Sequence, residues 1–326
     1  MIDRLRAFTY ERQRLGQAAP SAARALQDVI AVYSSHPSAP LSLHARARKM
    51  TAAQFRKLDV LRLPAMRMSI HVLPAKTAHL AFRATPAPPA DRKKRMRHFK
   101  FSEQRYGELR ARILKAATEP LTLPELREKV GAEPDEFKGI SAQMTRDGEL
   151  LRVGAKGLRS NELGYVANEL EPADADEALA WLAGEYLRAF GPIRVKDFVW
   201  WAGVTATRAK QGLATHPTEE LDDGLLILTK DRKAFEKAAT PKGVDLLPKW
   251  DSYTMGYAPD GRDRFAHPDV VKDCYDFRGD GRPVILVDGQ AAGTWDSGIE
   301  LFDTVPARTR KAIDERMTAV NAFLES

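Results

Sequence analysis

One cysteine, Cys274, stands in 326 residues, so no internal disulfide can staple the fold and a reducing compartment is expected. No apolar run approaches the roughly 18 residues that cross a bilayer, which argues against a membrane class. The opening Met1-Ile2-Asp3-Arg4 lacks the apolar segment of a secretory signal. Also missing are a His/Cys cluster at metal-ligand spacing, a Gly-x-Ser-x-Gly elbow and a phosphate-cradling glycine loop, and no cofactor is expected. Acidic residues are the minority: 44 Asp and Glu against 51 Lys and Arg give a net charge of +7 and a pI near 9.4. Excess cation attracts polyanions and releases counterions from a phosphate backbone, so nucleic acid is the leading partner, the plain alternative being a basic soluble protein.

What is present is ordinary for a globular chain, 44% hydrophobic and 29% charged residues, and the length fits two domains or several small modules. The pattern reads as α+β: three tandem winged-helix modules, then a small β-barrel-like C-terminal module and a terminal helix. Residues 1–85 make the first unit. Leu5, Phe8, Arg12 and Leu15 share one helical face, and over Ala22 to Val32 the residues Ala25, Leu26, Val29, Ile30 and Val32 recur at helical spacing before the polar loop Tyr33-Ser34-Ser35-His36-Pro37-Ser38-Ala39-Pro40. A further helix is read over Leu41 to Met50, and Thr51 with Gln54 spells a capping box for another to about Leu58. Val60 to Leu63 and Met66 to Leu73 read as a hairpin carrying Arg67 and His71.

Residues 86–100 read as a linker, with Pro86, Pro88 and Pro89 running into Arg92, Lys93, Lys94, Arg95, Arg97 and Lys100. Residues 101–168 repeat the plan of helices then hairpin, with caps at Ser102 and Thr122 and a wing tip carrying Lys156 and Arg159. Residues 172–240 repeat it again, with no sequence identity between the copies; of the adjacent Trp200 and Trp201, one is expected in the core and the other between units. In residues 241–326, short β-leaning runs at Val244 to Leu247, Lys272 to Phe277, Pro283 to Val287 and Gln290 to Trp295 precede a helix over Val305 to Leu324, and Asp288-Gly289 marks a hairpin turn.

Specific motifs lie in that last module. Leu246-Leu247-Pro248-Lys249-Trp250-Asp251-Ser252-Tyr253, then Pro283-Val284-Ile285-Leu286-Val287-Asp288-Gly289 and Gly293-Thr294-Trp295, resemble the AlkZ/YcaQ family of winged-helix DNA glycosylases. Gly191-Pro192 with Asp197 and Trp201, and Arg67 to Pro74 as a strand, are similar to further segments of that family in the same order. The resemblance implies three tandem winged helices and a small β-barrel as a concave scaffold around duplex DNA, with hydrolysis of the N-glycosidic bond of alkylated or crosslinked purines; no protein partner is implied, and a monomer is expected.

The resemblance also implies a Gln-x-Gln or Gln-x-Asp motif ahead of a proline. Aligning that proline with Pro37 puts Tyr33 and Ser35 at the two motif positions, a departure from the pattern. A cationic alkylpurine leaves without a strong general acid, so modest polar groups can serve. Ser35 is a candidate to hold the attacking water, His36 a candidate base, and Tyr33 a candidate to stack on a base, beside the plainer reading of a capping and packing loop. Asp251 is a candidate to face a developing oxocarbenium ion, or else a brace of the β-module. Arg67 and His71 are candidates to approach the lesion strand, and Arg46, Arg48, Lys49, Arg92, Lys93, Lys94, Arg95 and Lys156 to contact phosphates. A non-catalytic binder of the same fold, a lesion sensor or regulator, is the competing expectation.

Overall fold

The computed structural model describes residues 1–16, 18–154 and 157–326. Its first region runs α1 (Ile2–Arg12), α2 (Ala22–Asp28), β1 (Val32–Tyr33), α3 (Ser38–Arg46), α4 (Ala52–Arg56), β2 (Val60–Pro64), β3 (Ile70–Pro74) and α5 (Ala75–Ala84). Ser21 caps α2 by accepting from the Arg24 amide, and the Thr51–Gln54 capping box forms reciprocally at α4. The expected hairpin gains a third strand, since β1 pairs antiparallel with β3 to give the order β1-β3-β2. A two-residue strand carries too little periodicity to be seen in sequence.

The second region holds α6 (Pro89–His98), α7 (Glu103–Ala116), α8 (Leu123–Val130), α9 (Pro134–Arg146) and the hairpin β4 (Leu150–Val153) and β5 (Gly164–Ala167). Its helices close over Leu109, Ile113, Leu126, Ile140, Met144 and Leu150, all fully buried. The basic block read as a linker is helix α6, because Pro88 and Pro89 suit a helix start and Met96 and Phe99 pack on the α7–α9 core.

The third region contains α10 (Ala175–Phe190), α11 (Val195–Ala202), α12 (Ala206–Leu213), β6 (Thr218–Leu221), β7 (Leu225–Leu228) and α13 (Arg232–Glu236). Ala78, Ala81 and Ala84 of α5 are wholly buried in the same core as Leu179, Leu182 and Tyr186 of α10, small side chains letting the two helices approach. Trp201 joins that core, stacked on Tyr186 at 4.7 Å, whereas Trp200 faces Arg67 of the first region, which matches the division expected for the pair.

The last region has β8 (Val244–Leu247), β9 (Val284–Val287), β10 (Gln290–Thr294), β11 (Glu300–Leu301) and α14 (Ala307–Glu325). The sheet is open, ordered β11-β10-β9-β8, rather than barrel-like. Asp288 and Gly289 both take positive φ, 50° and 78°, at the expected two-residue turn. Residues 272–277 form no strand: a 3₁₀ turn over Val271–Cys274 replaces it and buries Cys274. Among the described residues no helix is long and apolar enough to cross a membrane.

A buried ion pair ties the first region to the last. Asp251 accepts two bonds from the Arg46 guanidinium at 2.7 and 2.8 Å, one from Ser42 Oγ at 2.7 Å and one from the Tyr253 amide at 2.9 Å. Both side chains are entirely inaccessible. Removing one partner of such a pair leaves a buried charge and costs about 3–5 kcal/mol.

Candidate active site

The loop leaving β1 is pinned before it turns. Tyr33 stands opposite His71 in the sheet, and the Ser34 amide donates to the Ile70 carbonyl at 2.9 Å, so residues 33–35 continue the strand edge into the start of α3. They line a cavity of about 420 Å³ with Arg67, Ser69, Ile70, Trp250, Met255 and Asp280. Three parts of the chain therefore meet there: the 33–35 loop, the tip between β2 and β3, and the segment between β8 and β9.

Arg67 occupies the tip with φ 54°, followed by Met68 at φ 58°. Its guanidinium lies 3.9 Å from the centre of the Trp200 ring and donates to the Tyr33 hydroxyl. Gly203 permits this approach: its φ is +75°, and a Cβ there would stand 3.1 Å from the Arg67 N and Cα atoms. The Tyr33 ring packs on His71 at 4.6 Å and lies 6.4 Å from Trp250. Burial raises the Tyr33 phenol pKa although Arg67 opposes the shift, so Tyr33 stays protonated and can donate into the cavity.

Two cavity groups escaped the sequence reading. Ser34 Oγ is buried without a hydrogen-bond partner, and Ser34, not only Ser35, lines the cavity. Asp280 is the one carboxylate among the described residues lining it. The turn Gly279-Asp280-Gly281 was the available signal, but nothing local ties a turn 247 residues downstream to Tyr33.

The other candidates separate. His36 points away: its Nδ1 lies 3.1 Å from the Leu158 carbonyl and its Nε2 3.2 Å from Arg62, and burial followed by the Arg62 charge lowers its pKa. It is therefore neutral and off the cavity, which corrects its expected role as base. Asp251 has every carboxylate lone pair engaged in the Arg46 brace and does not reach the cavity, so the bracing alternative is the one realised. His71 lies behind Tyr33, buried, with Nδ1 2.8 Å from the Ser69 carbonyl and its pKa lowered to about 4, chiefly by burial; it does not line the cavity.

Arg46 is fully buried and cannot meet a phosphate. Arg48 pairs with Asp245, Arg92 with Glu103 and Asp147, and Arg95 donates to Gln143, whereas Lys49, Lys93 and Lys94 are exposed. Lys156 lies outside the described residues. A larger cleft of about 760 Å³ beside α5 is lined by charges of both signs, among them the pairs Arg110 with Glu149 and His79 with Glu171.

The model of the AlkZ-like DNA glycosylases matches residues 26–323. The chain belongs to this family. Its function is accordingly DNA glycosylase-like repair, in a family of DNA glycosylases, which are hydrolases. Among solved structures, Streptomyces sahachiroi DNA glycosylase AlkZ is similar in fold, with a TM-score of 0.78 over 99% of this chain and 96% of that one at 18% identity. A search of curated proteins gives no match. In this AlkZ-like chain the loop that ends at Pro37 brings Tyr33 and Ser35 into one cavity with Asp280, so a carboxylate is supplied from a distant segment of the sequence.

Proposed function

We propose that the Tyr33–Asp280 cavity receives an alkylated or bulky cationic purine nucleotide of duplex DNA and that the chain is a monofunctional glycosylase. The observation that carries this reading is the joining of one carboxylate, a protonated phenol and an orphan hydroxyl in a single cavity. The C1′–N bond breaks with its electron pair passing to the cationic purine, which departs neutral. The sugar becomes oxocarbenium-like, and the Asp280 carboxylate faces its positive charge. Ser35 holds the water whose oxygen bonds to C1′; its proton passes to Asp280 and then to solvent. Tyr33 donates to the adducted base while Trp250 offers a face to stack on, worth about 1–3 kcal/mol per base.

The three helix-and-hairpin units, over residues 1–85, 101–168 and 172–240, are read as tandem winged helices, with 241–326 as a supporting β module. The exposed Lys49, Lys93 and Lys94 support duplex binding through phosphates, and the chain is read as a cytoplasmic monomer, on the nucleoid when bound. The Tyr33 and Ser35 departures from the family motif favour a second reading, a lesion sensor that binds without cleaving. Incubation with duplex carrying 7-methylguanine or a mustard adduct, followed by alkali, separates the two. Strand breaks at the lesion are expected; tight binding with no abasic sites across several lesions contradicts the glycosylase reading.

A further inference from the structure

The same loop walls a second cavity, of about 240 Å³, on the side that His36 faces. Arg62 of β2 and Arg152 of β4 enter it together with Phe55, Leu158 and Gly154. Arg62 is only 6% exposed, yet its Nε has no hydrogen-bond partner, and neither has the buried Nε of Arg152. Arg62 otherwise reaches the His36 Nε2 at 3.2 Å and the Gly154 carbonyl at 3.4 Å, both neutral acceptors. With the His36 Nδ1 proton directed to the Leu158 carbonyl, Nε2 is left as an acceptor and the imidazole brings no charge of its own. No carboxylate stands among the described residues lining the cavity, and the two guanidinium groups repel each other, burial and then the Arg152 charge lowering the Arg62 pKa.

A buried cation such as Arg62 is otherwise paired in folded proteins, and among the described lining residues no carboxylate pairs it. Two guanidinium groups against apolar walls suit a tetrahedral oxyanion, since each offers N–H donors in a fork that matches two of its oxygens and the walls keep the local dielectric low. We propose that the His36–Arg62–Arg152 cavity binds a phosphoryl group. Its source is either a backbone phosphate of bound DNA or a phosphate-bearing small molecule. In either case occupancy fixes the back of the loop whose front carries Tyr33, Ser34 and Ser35.

The test titrates the full-length protein with inorganic phosphate at constant ionic strength, following thermal unfolding of wild type, Arg62→Met and Arg152→Met. Wild type is expected to show a saturable rise in Tm that both variants lose, with apparent affinity reduced about tenfold or more. Arg152 is only half-buried on a two-stranded hairpin, so Arg152→Met carries the test if Arg62→Met fails to fold. Undamaged duplex is then added. Displacement of phosphate, with the salt slope of duplex binding lowered by about 0.9 in Arg152→Met, assigns the site to the DNA backbone. Phosphate binding that duplex does not displace assigns it to a small molecule. No rise in wild type, or an equal rise in all three proteins, overturns the proposal. Neither ligand is cleaved, so the outcome is separate from that of the base-removal assay.

Discussion

At the scale of single residues, burial decides which groups can carry charge. His44, stacked on Phe323 at 4.3 Å, and His71, beneath Tyr33, both have their pKa lowered to about 4 from 6.5, with burial the largest cause in each. The unfolded chain takes up these protons as pH drops below about 6.5, and the folded chain does not until about 4. The stability the neutral rings contribute is therefore complete above pH 6.5 and lost as pH falls toward 4, on the order of 3 kcal/mol for each ring. Urea unfolding at pH 7, 5.5 and 4.5 is expected to show this decline, and His44→Gln to flatten part of it; a midpoint that does not move over that range contradicts buried neutral rings. The same reasoning removes His36 from base chemistry, for a neutral ring with both nitrogens engaged has no lone pair to offer a water.

Among elements, the tip between β2 and β3 matters most. Its left-handed Arg67 is held against the end of α11 by the missing side chain of Gly203, and this places the guanidinium between Trp200 and the Tyr33 hydroxyl. Gly203→Ala adds a methyl 3.1 Å from the Arg67 backbone at a positive φ, with an expected cost of about 1–3 kcal/mol in stability. Displacing Arg67 is also expected to slow base removal without abolishing duplex binding; thermal unfolding and single-turnover assays read the two effects separately. Local elements were legible where the signal is local. The Thr51–Gln54 box and the Asp288-Gly289 turn formed as spelled, because caps and turns act within a few residues, whereas the helical run read over residues 22–32 stops at Asp28, with Ile30 at φ 71° and Val32 in β1. Strand β1 and helix α5 were not, since the first gains its partner β3 only in three dimensions and the second is alanine-rich and takes its meaning from α10.

At the scale of the whole molecule, long-range pairing decides which charges remain for DNA. Arg46 and Arg48 share a basic run with Lys49, yet the first is spent on Asp251 and the second on Asp245, 205 and 197 residues along the chain. No spacing rule could foresee that, and the candidate site was legible only in part for the same reason: family motifs located the loop at Tyr33, while its carboxylate came from residue 280. In the basic block, Lys93 and Lys94 stay exposed whereas Arg92 and Arg95 are engaged. Replacing both lysines by Gln is expected to lower the slope of log affinity against log salt by about 0.9 for each phosphate that is no longer neutralised. An unchanged slope would place the duplex on another face. The central claim, that a carboxylate delivered by the fold stands in for the absent motif glutamines, is tested most directly by single-turnover release of 7-methylguanine from duplex DNA by wild type and Asp280→Asn at matched DNA occupancy. The account predicts that the substitution slows release by about 10²–10³-fold while duplex affinity holds. Equal rates in the two proteins would contradict it.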